Sequence, residues 1–338
     1  MSRLAPRAVG VRMAYASVPA AVRRWVDDCL GSRVVQARTQ RGGMSPGCAA
    51  RLVAADGRRA FVKAVGPELN PQTPDLFRHE ARVLSVLAAV PYRPGLLGTH
   101  DDGDWVGLLL EDVDGQHPDL SDAAQARVVW DIVATQCDEL TPAPSELAEL
   151  CSTEPAAPVS VDTRTVSAST CRWSAAWQDM LVDPGLHLPA WAVLVVDELA
   201  DRVAALPGRL SLETFCHWDL RNDNLLVRAD GSAVVVDWGM SRLGPRWGDL
   251  FVLALERAET PAFDRWIDQA ERTHGADQAQ VTSLLLALGG YLALRSADPP
   301  APGLPSLPAF RRREADRFLA AARRRLQGGG NLGASPTR

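Results

Sequence analysis

The sequence predicts an α+β fold of two unequal lobes, a small antiparallel sheet followed by a mainly helical region. Three observations predict it: strand-like segments joined by turn residues fill the first third, helical periodicity fills most of the rest, and one late β-hairpin interrupts the helices. With 338 residues, 46% hydrophobic and 23% charged, the chain can give each lobe a buried core.

Residues 1–20 are rich in Ala, Arg and Pro without periodicity, and 328–338 are rich in Gly and polar residues, so both ends are expected to be mobile. Between them, 21–112 reads as an N-terminal lobe and 113–327 as a helical C-terminal lobe. A helix over 20–30 precedes strands at 33–40, 49–55 and 59–65, the last two joined by the hairpin signal Asp56-Gly57. Over 74–89, Leu76, Glu80, Val83, Leu84 and Leu87 fall at helical spacing, and the apolar run 105–110 fits a buried strand. After a connector at 111–118, helices are expected near 121–140, 172–182, 190–206, 246–257, 261–273 and 277–296. The stretch 142–170 is Pro/Ser/Thr-rich with weak periodicity, and 298–308 is a Pro-rich connector to an Arg-rich helix at 310–326. There are no internal repeats.

A formal net charge of -5 gives no basic footprint for nucleic acid or an anionic membrane. No window of about 18 apolar residues occurs and the first residues lack a secretory core, so a cytoplasmic location is expected. The six cysteines form no CxxC pair and the six histidines no HExxH, which argues against zinc or a disulfide framework. Modest charge is compatible with a monomer or weak dimer.

The chemistry concentrates in His217-Trp218-Asp219-Leu220-Arg221-Asn222-Asp223-Asn224, a hairpin, and then Asp237-Trp238-Gly239. Antiparallel pairing across the Ala-Asp-Gly-Ser turn brings Asn224 and Asp237 to one end of the hairpin. Their oxygens suit Mg²⁺, which takes one or two protein carboxylates and completes its shell with water and phosphates. Asp219 would lie beside that ion and orient an acceptor hydroxyl toward a γ-phosphorus.

In the N-terminal third, Lys63 shares a strand face with Phe61 and Val65, so its ammonium needs a partner. Glu80 on the next helix supplies one, giving a Lys-Glu pair suited to α and β phosphates. The turn at 41–47, with Gly43 and Ser45, could cover phosphates through backbone N–H groups, or be a plain turn. At 108–115 an apolar strand becomes acidic, and the backbone from Glu111 to Val113 could meet a purine edge.

These residues resemble the aminoglycoside phosphotransferase family, small-molecule kinases with the two-lobed protein-kinase-like fold, over about 25–297. The resemblance implies that Asp219 is the catalytic carboxylate and His217 a brace. Asn224 and Asp237 would be the metal ligands, Lys63 and Glu80 the phosphate-binding pair, and Asp249 a support for the catalytic loop. Arg221 stands where the family often has His, and is a candidate contact to the transferring phosphate. After Asp237-Trp238-Gly239 a helix follows within about ten residues and no Ala-Pro-Glu appears, unlike a protein kinase.

The expected reaction is Mg²⁺-dependent transfer from ATP or GTP to a hydroxyl of a small molecule, an antibiotic first. The alternatives are a primary metabolite such as a sugar, amino alcohol or ketosamine, and a nucleotide-binding module without activity. Asp179, Asp183, Asp264 and Asp268 are candidate acidic groups for a cationic acceptor, and Trp173, Trp177 and Trp191 are candidate apolar walls or core residues.

Overall fold

Strand formation in the first lobe follows from a period of two that sorts side chains onto opposite faces. A computed structural model describes residues 10–40, 43–152 and 164–328. Strands β3 (Gly47–Ala54) and β4 (Arg59–Val65) pair across the turn at Gly57, which has φ +88°. β4 then pairs with β6 (Val106–Leu110), and β6 with β5 (Leu96–Asp101), all antiparallel. β1 (Arg12–Met13, parallel) and β2 (Val34–Thr39, antiparallel) share the remaining edge of β3.

On one face Ala50, Leu52, Ala60, Val62 and Leu109 pack against Val22, Val26 and Leu30 of α1 (Ala20–Leu30). On the other, Val65, Leu108 and Leu110 meet Phe77, Val83 and Leu84 of α2 (Thr73–Val86). Lys63 alternates onto this second face, as its spacing from Phe61 and Val65 requires.

The second lobe contains helices α3 (Ala123–Glu139), α4 (Ser145–Ser152), α5 (Val166–Met180), α6 (Ala190–Val193) and α7 (Val196–Ala204). They are followed by α8 (Gly248–Ala254), α9 (Pro261–His274), α10 (Gln278–Arg295) and α11 (Leu307–Gly328). α10 is apolar nearly all round and lies against α5, α7 and α11, as a helix without a polar stripe must. Two short strand pairs carry the polar loops: β7 (Thr214–Cys216) with β10 (Arg242–Gly244), and β8 (Leu225–Val227) with β9 (Ala233–Val235). No described helix is long and apolar enough to cross a membrane.

The α+β class and the two-part arrangement agree with the sequence reading; several boundaries do not. Residues 10–20, read as mobile, include a paired strand and the buried Tyr15 and Val18. Residues 142–170, left without an element, hold α4 and the first turn of α5. The helix expected over 190–206 is split into α6 and α7. The rest of the N-terminal segment, 1–9, and the tail 329–338 lie outside the described residues.

Candidate active site

Glu80 sits on the buried stripe of α2 between Phe77 and Val83, where a carboxylate has no access to water. Lys63 answers it from β4, with Nζ 2.9 and 2.8 Å from the two Glu80 oxygens and 2.8 Å from Asp237 Oδ1. Burial acts against the ammonium, but Asp237 and Glu80 outweigh it, and Lys63 is held above the usual lysine range. For Asp237 burial acts upward, and Lys63 prevails to keep it ionised below the usual carboxylate range. Lys63 is also the only lysine in the chain.

The loop between β7 and β8 is fixed from below by Asp249 at the start of α8. The two oxygens of this carboxylate accept the His217 and Trp218 backbone N–H groups, each at 2.8 Å, and Gln136 Nε2 donates at 3.1 Å. These bonds hold Trp218 at φ +62°, a left-handed conformation costly for a side chain of that size. Burial pushes the Asp249 carboxyl up to about 6.

The His217 ring is a brace with an assigned tautomer. Nδ1 accepts the Asp219 N–H at 3.2 Å, so Nε2 carries the proton that it gives to the Val236 carbonyl at 3.1 Å. Burial lowers its pKa to about 4, consistent with a neutral imidazole.

Asn224 donates through Nδ2 to the Asp219 carbonyl at 2.8 Å and to Asp219 Oδ2 at 2.9 Å, which leaves its amide oxygen for a ligand. Arg221 Nε lies 3.1 Å from Asp219 Oδ1 and 3.5 Å from Asp223 Oδ1. The Asp219 side chain is 26% exposed at the base of the cleft. Its burial pushes the carboxyl up to about 6, against the opposing charge of Arg221. Arg221 also touches the Met44 sulfur and faces the Phe310 ring at 6.0 Å.

Above these groups is a cavity of about 850 Å³ whose apolar slot is formed by Ala49, Phe61, Leu110, Leu226 and Val236. Lys63, Asp237, Gly43 and Ser45 line one end, and Glu111 and Val113 line the other. The Glu111 N–H is committed to the Gly95 carbonyl at 2.8 Å, so within this connector the Glu111 carbonyl and the Val113 N–H are the backbone groups suited to a base. The donor set fits magnesium: one carboxylate and one amide oxygen, with room for phosphate oxygens.

Of the residues singled out in the sequence for nucleotide, metal and catalysis, Gly43, Ser45, Lys63, Glu111, Val113 and Asp237 line the cavity. Glu80 joins them through Lys63, while Asp219, Arg221 and Asn224 form a bonded cluster outside its lining. The acceptor candidates fare differently. Trp177 is wholly buried with its indole N–H on the Leu286 carbonyl at 3.0 Å, and Trp173 is also buried, so both are core. Asp264 is engaged by Arg325 at 2.8 Å and Arg324 at 3.4 Å.

The sequence reading took in the backbone of residues 111–113 but not the role of the Asp112 side chain, and it passed over Arg51, Arg59 and Arg12. Asp112, with its side chain 3% exposed, is clamped by Arg51 at 2.6 Å and Arg59 at 2.8 Å, tying the connector to the β3–β4 hairpin. Arg12 lines the cavity with Gly43, Ser45 and Lys63. Neither Arg51 nor Arg12 carried a sequence signal, since each is placed by pairing between strands.

A two-lobed fold with this cleft defines a small-molecule kinase with a hydroxyl acceptor. The sequence model of the Phosphotransferase enzyme family (APH) matches residues 49–282, more than half of the chain, and the chain belongs to that family. Among solved structures, a thermostable mutant of aminoglycoside phosphotransferase APH(4)-Ia in complex with ADP and hygromycin B is similar at 15% identity and TM-score 0.58, over 93% of this chain and 100% of that one. Choline kinase LicA from Streptococcus pneumoniae is similar at 14% identity and TM-score 0.54, over 92% of this chain and 98% of that one. A search of curated protein sequences finds no match.

Proposed function

We propose that this protein transfers the γ-phosphate of ATP, or of GTP, to a hydroxyl of a small antibiotic with Mg²⁺ as cofactor. The observation that carries the reading is the continuous polar chain from Glu80 through Lys63 and Asp237, set beside Asn224 bonded to Asp219. Lys63, held by Glu80, binds the α and β phosphates. Asn224 and Asp237 would hold the metal, which supplies charge neutralisation on the phosphates. The base occupies the apolar slot against Glu111 and Val113, and Gly43 and Ser45 cover the phosphates.

Asp219 accepts the proton of the acceptor hydroxyl as its oxygen bonds to the γ-phosphorus and the bond to the β-phosphate oxygen breaks, releasing the nucleoside diphosphate. Arg221 stabilises the transferring group. Asp264 is engaged with two arginines, so the reading gives it no part in holding a polycationic acceptor.

Mass spectrometry after incubation with Mg²⁺ and ATP or GTP tests this, against nucleoside, macrolide, peptide and aminoglycoside antibiotics plus choline, homoserine and sugars. A phosphate adduct on an antibiotic, lost in Asp219→Ala and with EDTA, is the expected result. An adduct on a metabolite alone would overturn the antibiotic assignment. Nucleotide binding without any adduct would favour a module that only binds.

A further inference from the structure

The N-terminal strand carries a group for which the fold gives a use. β1 is only two residues long, yet it is held on two sides: Arg12 pairs with Gly47 in parallel register, and the neighbouring Val11 N–H donates to the Gly303 carbonyl at 2.9 Å. This clamp aims the Arg12 guanidinium over the turn at the phosphate end of the cleft, where it lines the cavity with Gly43, Ser45, Lys63 and Asp237. Nη1 donates to the Ser45 carbonyl. Nη2 occupies the space a side chain at residue 43 would need: a Cβ on Gly43, which has φ +79°, would come within 2.6 Å of it. The glycine admits the arginine.

Charge gives the arrangement its purpose. Lys63 is shared between Glu80 and Asp237, so its positive charge is already answered before a nucleotide arrives. A magnesium-bound triphosphate remains anionic and needs another cation. Arg12 stands close enough to Asp237 and Asp223 to feel both charges, which places it on the metal side of the site. Its planar fork, which serves the Ser45 carbonyl through Nη1, carries five N–H donors in a geometry that matches phosphate oxygens.

We propose that Arg12 is a second donor-phosphate-binding residue, contributed by a strand outside the family-matched segment 49–282. The inference rests on the donor-site reading above.

Titration calorimetry of ATP, ADP and adenosine against wild type, Arg12→Ala and Arg12→Gln tests it, with melting temperatures taken without nucleotide. Arg12→Gln keeps a donor for the Ser45 carbonyl and removes the charge, so it guards against a purely structural loss in Arg12→Ala. Both variants are expected to bind ATP at least about tenfold more weakly, the scale of one charge-assisted hydrogen bond, with adenosine affinity unchanged. Wild-type ATP affinity in Arg12→Gln would overturn the inference, as would equal losses for ATP and adenosine. Wild-type protein that binds no triphosphate would overturn the donor-site reading itself.

Discussion

Replacing Asp249 by alanine removes the acceptor for three buried donors, the His217 and Trp218 N–H groups and the Gln136 amide. At about 1–3 kcal/mol for each orphaned donor, the loss is roughly 3–9 kcal/mol. Against this stands relief of a buried charge. The carboxyl lies near 6 rather than 3.8, which at about 1.4 kcal/mol per unit makes its ionised form about 3 kcal/mol costlier in the fold. The net expectation near neutral pH is a loss between about 0 and 6 kcal/mol, centred near 3, which corresponds at the centre to roughly 6–12 °C in melting temperature.

Because Asp249 is a weaker acid folded than unfolded, its contribution to stability is full below about pH 4 and is lost as pH rises through about 6. Asp249→Ala is therefore expected to cost about 2 kcal/mol more near pH 4.5 than near pH 7.5, measured by urea denaturation. Activity gives a separate readout. Without its anchor the left-handed Trp218 relaxes and displaces Asp219, and kcat falls at least about 100-fold. A variant that melts within about 2 °C of wild type and keeps its kcat would refute the reasoning.

Burial pushes the Asp219 carboxyl up to about 6, so kcat/KM is expected to fall as pH drops through that value and the proposed base takes up a proton; a limb centred near 4, the ordinary aspartate value, would show that burial does not raise this carboxyl. Glu80→Gln removes one of the two negative partners of Lys63, and is expected to raise the KM for ATP about tenfold with a smaller change in kcat; equal falls in both with a lowered melting temperature would point to a structural role alone. Gly290→Ala would press a methyl group into the Trp177 indole and is expected to cost about 1–3 kcal/mol in thermal denaturation, without changing nucleotide affinity.

The convergence of Asp219, Asn224 and Asp237 was legible because they lie within one short stretch of chain, where spacing from Asp219 to Asn224 and across a hairpin to Asp237 already implies it. Lys63 and Glu80 were legible for a different reason. Each is a charge on an otherwise apolar face, and such a charge needs a partner. β1, β7 and β10 gave no such signal, being too short for a period of two to register and, unlike the equally short β8 and β9, not joined by a hairpin turn. β5 interrupts its alternation with Gly98, at a shift in register against β6. Arg12 reaches the cleft only through pairing with Gly47, a contact that local sequence does not encode. Trp177 was ambiguous because one indole suits a wall or a core, and only the Leu286 carbonyl decides between them.

The solitary lysine makes this enzyme its own spectroscopic probe. Protein grown on isotopically labelled lysine carries one side-chain amine signal, and that amine bridges Glu80 and Asp237. Its chemical shift would report nucleotide occupancy and metal binding without assignment, mutation or an attached dye. Amine-selective acylation gives the chemical counterpart, since any side-chain amine label that forms must fall on Lys63, inside the cavity.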